Sequence, residues 1–308
     1  MKVVVIGAGM VGSAVAGRLL SLGSISKISL LDKDEEKAKG EVMDYSHTTA
    51  YNYNPSVTLE VGDYSDCAEA DLIILAAGPS VKEGQSRRDL AKINSQITQD
   101  IMSQVMDYTT DAVIIPVTNP VDIVAYSAVK AGYDRQKVIG TGTLVDSARL
   151  MRVIADEYEL DPKNVFGYLL GEHGRASFVP WSICGICGYD FDTFAQIRGL
   201  DVCLNKPEIV EEVKSIGFEI WKKKGFTNHG IAAGVERIVK AISIDEKAVL
   251  PVSVYLNGEY DIEDVSLSIP CVIGEDGIEK VLEFPLQEEE LEKLHESADS
   301  LQETIKEI

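Results

Sequence analysis

Lys2-Val3-Val4-Val5-Ile6-Gly7-Ala8-Gly9-Met10-Val11-Gly12 opens the chain with an apolar run that breaks into a glycine-rich turn. A second apolar run, Lys27–Leu31, ends on Asp32, twenty residues past Gly12. In a strand-turn-helix-strand unit each part has a physical task. Gly7 permits the tight turn, Gly9 lets a pyrophosphate approach the backbone, and Gly12 lets helix and strand pack closely, with Met10 and Val11 opening the helix. The phosphates then rest on that helix's N-terminus. Asp32, at the carboxyl end of the second strand, is placed to accept hydrogen bonds from a ribose 2′-hydroxyl and to repel a 2′-phosphate, so NAD is expected rather than NADP. Lys33 and Lys37 are nearby cations that keep NADP as the alternative.

Working outward, the chain is 308 residues long, 45% hydrophobic and 26% charged, which fits a globular protein of two domains. Lys2, the apolar stretch and Ala14-Val15-Ala16 also have the form of a secretory signal, but cleavage there would destroy the fingerprint that Asp32 corroborates. No apolar run reaches the roughly 18 to 20 residues needed to span a bilayer. A soluble, cytoplasmic protein is expected. The five cysteines are scattered, at 67, 184, 187, 203 and 271, and reduced thiols are the default. Cys184 and Cys187 have CxxC spacing, yet in a β-like stretch they point to opposite faces and no second pair follows, so no metal is expected. A net charge of −21 argues against nucleic acid and anionic membranes as partners. An acidic substrate would need local cations to outweigh that field. The acidic stretch 287–293 reads as a solvated helix face.

The first half alternates apolar strands, near Lys2–Ile6, Lys27–Leu31, Thr58–Val61, 72–76, 113–117 and 138–139, with helices near 10–22, 35–45, 90–108 and 121–131. This is the rhythm of a Rossmann-type doubly wound parallel sheet, in which ligands bind beyond the carboxyl ends of the strands. The segments to interrogate are therefore 7–12, Asp32, 62–64, 78–88, 118–120 and 140–143. From Leu144 the pattern changes to a long helix to about 158, a β-rich stretch over 165–191, helices near 207–224 and 230–243, a β-meander over 249–284 and a charged helix near 287–305. An NAD-binding domain over 1–142 and an α+β substrate domain over 143–308 are expected, packed firmly together.

Four charged residues outside the fingerprint carry the chemistry. Asp146 and Arg149 are three apart on a helix that begins just after the last Rossmann strand, so one turn offers an acid and a cation to the cleft. His173 stands in Gly171-Glu172-His173-Gly174, a glycine-flanked turn that leaves the imidazole approachable. Arg87 follows a polar loop, 78–86, which could hinge over a ligand. Each alone has a plain structural reading too, His173 as a packing histidine and Arg87 as a solvated surface residue.

The chain resembles the L-lactate/malate dehydrogenase family through the fingerprint, through Val117-Thr118-Asn119-Pro120-Val121-Asp122, through Gly140-Thr141-Gly142-Thr143-Leu144-Val145-Asp146-Ser147-Ala148-Arg149, and through Gly171-Glu172-His173-Gly174. The resemblance implies an NAD-dependent L-2-hydroxy acid dehydrogenase, with pyruvate and L-lactate the simplest pair. It makes His173 the proton donor and acceptor, Asp146 its carboxylate partner, Arg149 the anchor of the substrate carboxylate and Arg87 the lid residue that polarises the carbonyl. Asn119 would hydrogen-bond the reacting oxygen and Thr227 would line the substrate pocket. Lys37 and Tyr64 match positions near the adenosine half of the cofactor, and Gly78, Val117 and Asn119 complete its binding set. A homodimer or homotetramer is implied as well. The chemistry asks for the same groups. A 2-oxo acid carboxylate suits a planar guanidinium, and charge developing on the carbonyl oxygen needs a positioned proton donor and a cation.

The chain also departs from the family pattern. Val81 stands where lactate dehydrogenases typically place Gln and malate dehydrogenases Arg, so oxaloacetate is expected to be poor, while a methyl or larger aliphatic side chain fits. Arg175 and the stretches 171–182 and 224–230 are similar to the L-2-hydroxyisocaproate dehydrogenase branch, which keeps branched 2-oxo acids as the alternative. A lid of ordinary lactate-dehydrogenase length pulls back toward a small substrate. Met151 and Phe166 replace the Arg and His of members activated by fructose 1,6-bisphosphate, so no such activation is expected.

Overall fold

The computed structural model describes residues 1–51, 57–79, 87–201 and 204–308, with the side chain of Arg87 outside that set. Val81 and its loop therefore lie outside the described residues. The first half runs β1 (Lys2–Ile6), α1 (Met10–Leu19), β2 (Lys27–Leu31), α2 (Glu35–Thr48), β3 (Thr58–Val61), β4 (Leu72–Leu75), α3 (Arg87–Met106), β5 (Val113–Pro116) and α4 (Val121–Lys130). The second runs α5 (Leu144–Glu157), β6 (Val165–Phe166), β7 (Gly185–Ile186), α6 (Phe191–Arg198), α7 (Lys206–Lys224), α8 (His229–Ser243), β8 (Ala248–Asn257), β9 (Glu263–Gly274), β10 (Gly277–Val281) and α9 (Glu288–Ile305).

Strands β1 to β5 form a parallel sheet in the order β3-β2-β1-β4-β5. The sequence dictates this burial. The inner strands read KVVVI, KISLL and LIIL, near-continuous apolar runs that must be covered on both faces, whereas β3, at the edge, reads TLEV and stays half exposed. Chain order reverses between β1 and β4. That switch point opens a crevice at the carboxyl ends of the strands, where the fingerprint turn and the Asn119 segment both lie.

The expected sixth strand at 138–139 is reduced to one bridge, Val138 to Ile114. Gly140 ends it by turning away to pair with Ser253 of β8, its amide reaching the Ser253 carbonyl at 2.9 Å. Among the described residues, the expected β-rich stretch after 165 is mostly irregular, with β6, β7 and isolated bridges, of which Gly171 to Ser268 leaves the stretch for β9. In the second half β8, β9 and β10 form an antiparallel sheet. One hydrophobic core runs through both halves, from Val3, Val5 and Ile28 to Val235, Val252 and Ile269, and α1 packs on α8.

The 287–293 stretch is not a fully solvated face. Glu290 is buried, and its carboxylate accepts hydrogen bonds from the amide and hydroxyl of Ser182, which tie the start of α9 to the 181–183 turn. Cys184 is buried and Cys187 exposed. Among the described residues no group of three or more His, Cys, Asp or Glu is placed to hold a metal ion, and no helix is long and apolar enough to cross a membrane.

Candidate active site

The crevice is built first by glycine. Gly7 has φ +111°, and a Cβ there would lie 2.6 Å from the Ala76 carbonyl carbon. A Cβ on Gly12 would lie 1.8 Å from the Gly7 carbonyl oxygen, so α1 leaves the turn at a distance only glycine allows. Gly9 caps α1 and faces open space, with nothing within 4 Å of a Cβ position. Met10 is exposed beside it, and the first-turn amides of a helix have no partner inside that helix. Asp32 is fixed by the same turn. Its Oδ2 accepts the Ala8 amide at 2.7 Å and its Oδ1 the Asp34 amide at 2.9 Å. An open concavity over a helix N-terminus, with a carboxylate held at its far side, fits the phosphates and the adenosine ribose of a dinucleotide.

The other positions expected to serve the cofactor lie in the first half of the chain as well. Gly78 follows β4 with φ +146°, packed so closely that a Cβ would meet Thr118 and Asn94. Val117 is buried and Val11 partly buried. Tyr64 is half-buried against the cluster that holds Ile6 and Leu31, and burial raises its phenol pKa. Lys37 is exposed on the first turn of α2, where its amide is capped by Asp34. Asn119 is exposed at the end of the β5 segment and is followed by a cis peptide bond to Pro120. Asn94, which is buried, holds that segment by donating from Nδ2 to the Asn119 carbonyl at 2.5 Å.

Across the crevice, α5 carries the acid and the cation. Leu144, Ser147, Leu150 and Ile154 form its buried stripe, and Asp146 lies on the buried side with Arg149 one turn on. The start of α5 is tied to the strand-like segment before His173. The Thr143 hydroxyl donates to the Leu169 carbonyl at 2.5 Å, and Ser147 Oγ accepts the Leu169 amide at 2.8 Å. Gly171, with φ +89°, exchanges main-chain hydrogen bonds with Ser268 of β9, and Ser297 Oγ of α9 accepts the Glu172 amide at 2.7 Å. Three elements, α5, β9 and α9, thus converge on one turn, and His173 is delivered to Asp146.

Asp146 is the junction. Its Oδ2 holds His173 Nδ1 at 2.5 Å and its Oδ1 accepts from Arg149 Nη1 at 2.8 Å. The imidazole keeps 27% of its side-chain surface accessible and the guanidinium 17%, enough for each to reach a bound molecule. Gly217 of α7 makes room for the guanidinium, since a Cβ there would lie 3.2 Å from Arg149 Nη1. Burial by itself lowers the His173 pKa, but the charge of Asp146, its hydrogen bond and the charge of Asp122 outweigh it, and the imidazolium is held above the ordinary histidine value. Burial raises Asp146 in turn, yet the charges and hydrogen bonds of His173 and Arg149 hold its carboxyl below the usual carboxylate range.

Thr227 is exposed in the turn between α7 and α8, and the first turn of α8 that follows packs on α5, where a Cβ on Gly230 would lie 3.5 Å from Val145. Arg87 is the first residue of α3, with its side chain outside the described residues. The sequence reading gives no part to Asp122, Asn94 or Gly217. A buried acid in the first turn of a helix that follows a strand end was the available signal for Asp122, whereas Asn94 and Gly217 act through contacts between distant elements that no local pattern encodes.

Comparison with known proteins agrees with this geometry. Residues 1–140 match the model for the lactate/malate dehydrogenase NAD binding domain, and residues 143–308 the model for the lactate/malate dehydrogenase alpha/beta C-terminal domain. L-lactate dehydrogenase 2 of Clostridium acetobutylicum is 48% identical over 308 residues, covering 99% of this chain and 96% of that protein. L-lactate dehydrogenase of Selenomonas ruminantium is 40% identical over 307 residues, with the same coverage. Among solved structures, a lactate dehydrogenase from a Medee basin deep-sea metagenome library superposes with a TM-score of 0.94 at 35% identity, covering 99% of this chain and 98% of that one. The minor L-lactate dehydrogenase of Enterococcus mundtii does so with the same score and identity, covering 100% and 98%. With a dinucleotide crevice, a carboxylate-bound histidine and full-length matches in both halves, the chain belongs to the lactate/malate dehydrogenase family and is an NAD-dependent oxidoreductase.

Proposed function

We propose that the protein is an L-lactate dehydrogenase that interconverts pyruvate and L-lactate. The observation that carries this reading is the double use of Asp146, which sets a proton donor and a carboxylate anchor side by side on one helical turn. Arg149, with one N–H committed to Asp146, presents its remaining N–H groups to the substrate carboxylate. Bound NADH supplies the hydride that reduces the 2-oxo carbon. As that carbon is reduced, the carbonyl oxygen gains negative charge and takes the proton from His173 Nε2, the ring nitrogen left free when Nδ1 is bonded to Asp146. In lactate oxidation the same nitrogen accepts the hydroxyl proton. Asn119 hydrogen-bonds the reacting oxygen, Arg87 adds positive charge beside it, and Thr227 and Val81 bound the space for the substrate side chain. Gly7, Gly9, Met10, Val11, Gly12, Asp32, Lys37, Tyr64, Gly78 and Val117 serve NAD.

The same reading divides the chain into a cofactor domain over 1–142 and a substrate domain over 143–308, supported by the start of α5 at Leu144. We also propose a cytoplasmic homo-oligomer, a dimer or tetramer. Support for the compartment is that Cys67, Cys184, Cys187 and Cys271 are all free thiols.

The test is NADH consumption with pyruvate, 2-oxoisocaproate and oxaloacetate in parallel, repeated with NADPH, each reported as kcat/KM. Pyruvate is expected to lead and NADH to be strongly preferred. A lead of about tenfold for 2-oxoisocaproate, or about 1.4 kcal/mol, would make the protein a branched-chain 2-hydroxy acid enzyme instead. Equal values for the two cofactors would remove the role given to Asp32.

A further inference from the structure

Asp122 is a buried acid that the proton transfer described above does not use. It lies in the first turn of α4, three residues past Asn119, and is 2% exposed. Its Oδ2 accepts the main-chain N–H of His173 at 2.7 Å. Its Oδ1 is buried beside the Ser253 hydroxyl of β8, which helps to hold the carboxyl down, but that contact falls short of a well-formed hydrogen bond. Leaving one oxygen of a buried carboxylate unpaired is unfavourable, and a neutral asparagine could accept the same main-chain hydrogen bond without the charge.

We infer that Asp122 is a positioning residue for His173, pinning its turn to the start of α4 and placing a second negative charge behind the imidazolium. Asn119 and His173 are thereby referenced to one helix start, so the group that binds the reacting oxygen and the group that protonates it keep their separation. The inference rests on His173 being the proton donor. Among the described residues, the charged groups facing the ring are Asp146 and Arg149 from α5 and Asp122 from α4, and of these three Arg149 opposes protonation. Among the described residues, Glu172 and His173 are the charged groups facing Asp122, and the neutral Ser253 hydroxyl of β8 lies beside it. Asp122 adds to Asp146 in holding the ring charged, and this is the contribution that its removal deletes.

The test compares Asp122→Asn, which keeps an acceptor for the His173 amide and removes the charge, with Asp122→Ala, which removes both. Two readouts are taken: the pH profile of kcat/KM for pyruvate at saturating NADH, and the titration of His173 by NMR in the unliganded protein, its resonance assigned by its loss in His173→Asn. In Asp122→Asn the alkaline limb and the NMR titration are expected to move together to lower pH by about 0.5 to 1 unit. In Asp122→Ala a further loss of kcat of at least about tenfold is expected that acidification does not restore. Superimposable wild-type and Asp122→Asn curves overturn the electrostatic role, and a full kcat for Asp122→Ala at low pH overturns the positioning role. If the wild-type protein reduces no 2-oxo acid, the functional reading fails while the NMR titration still decides the coupling.

Discussion

Asp146→Asn gives the sharpest test of the site, because the carboxylate accepts on both oxygens and an amide accepts on only one. Oδ2 takes His173 Nδ1 at 2.5 Å and Oδ1 takes Arg149 Nη1 at 2.8 Å. If the asparagine oxygen faces His173, its amide N–H group points at a guanidinium that has only donors. If the oxygen faces Arg149, the N–H group donates to Nδ1 and moves the imidazole proton to Nε2, the tautomer that cannot accept a proton from lactate. Either way one charge-assisted hydrogen bond is lost, worth about 1.5 to 3 kcal/mol, or tenfold to about 150-fold in rate. The substitution also removes the two largest influences that raise the His173 pKa, so burial pulls it below its ordinary value and little imidazolium remains at pH 7. Together these give a loss of roughly 10²- to 10³-fold in kcat/KM for pyruvate at pH 7, partly recovered on acidification. Stopped-flow NADH oxidation across pH 5 to 9 measures it, with NADH fluorescence titration as the control for an intact crevice. A variant within about threefold of wild type, with an unmoved pH profile, would refute the junction role of Asp146.

Other substitutions probe separate links. Arg149→Lys keeps the charge but replaces a two-pronged fork by a point, and should raise the pyruvate KM by about tenfold or more with NADH affinity unchanged; an unmoved KM would rule out the clamp. Gly12→Ala puts a Cβ 1.8 Å from the Gly7 carbonyl and should lower both Tm and NADH affinity, whereas Gly9→Ala, with open space around it, should lower NADH affinity at constant Tm. Equal thermal effects would contradict that division. Burial raises the Asp122 carboxyl from 3.8 to about 6, so wild-type stability falls as pH climbs through that window, by about 3 kcal/mol in all. The Tm of Asp122→Asn relative to wild type should therefore rise between pH 4 and pH 8, and differential scanning calorimetry at both ends would expose a flat difference.

The legible parts of this chain are those in which chemistry is local. The turn Gly7 to Gly12 and the carboxylate at Asp32 are encoded within one strand-helix-strand unit, and Asp146 with Arg149 within one helical turn. The bond from Asp146 to His173 spans 27 positions, and it depends on Thr143, Ser147, Ser268 and Ser297 holding two segments together. Small polar residues of this kind give no periodic signal, and they serve here only because distant elements bring them to the same turn. Residues 138–139 fall short of a strand for a related reason, since their apolar character suits one but Gly140 diverts the chain to Ser253. Glu290 reads as solvated in an acidic run, and only the tertiary position of Ser182 makes it a buried acceptor.

The charge arithmetic of the site explains how a protein of net charge −21 can recognise an acid. Arg149 and the protonated His173 are matched one for one by Asp146 and Asp122, so these four groups sum to zero when both acids are ionised. A net local field cannot then be what holds the substrate carboxylate. On the proposed function, recognition comes from direction, from guanidinium N–H groups already oriented by Asp146 and from an imidazole whose free nitrogen is fixed by the bond at Nδ1. The acids are needed because an imidazole in so buried a turn would otherwise shed its proton, and the cations are needed because acids so buried would otherwise take one up. Arg87, at the start of α3, is the residue proposed to add positive charge outside this balanced set.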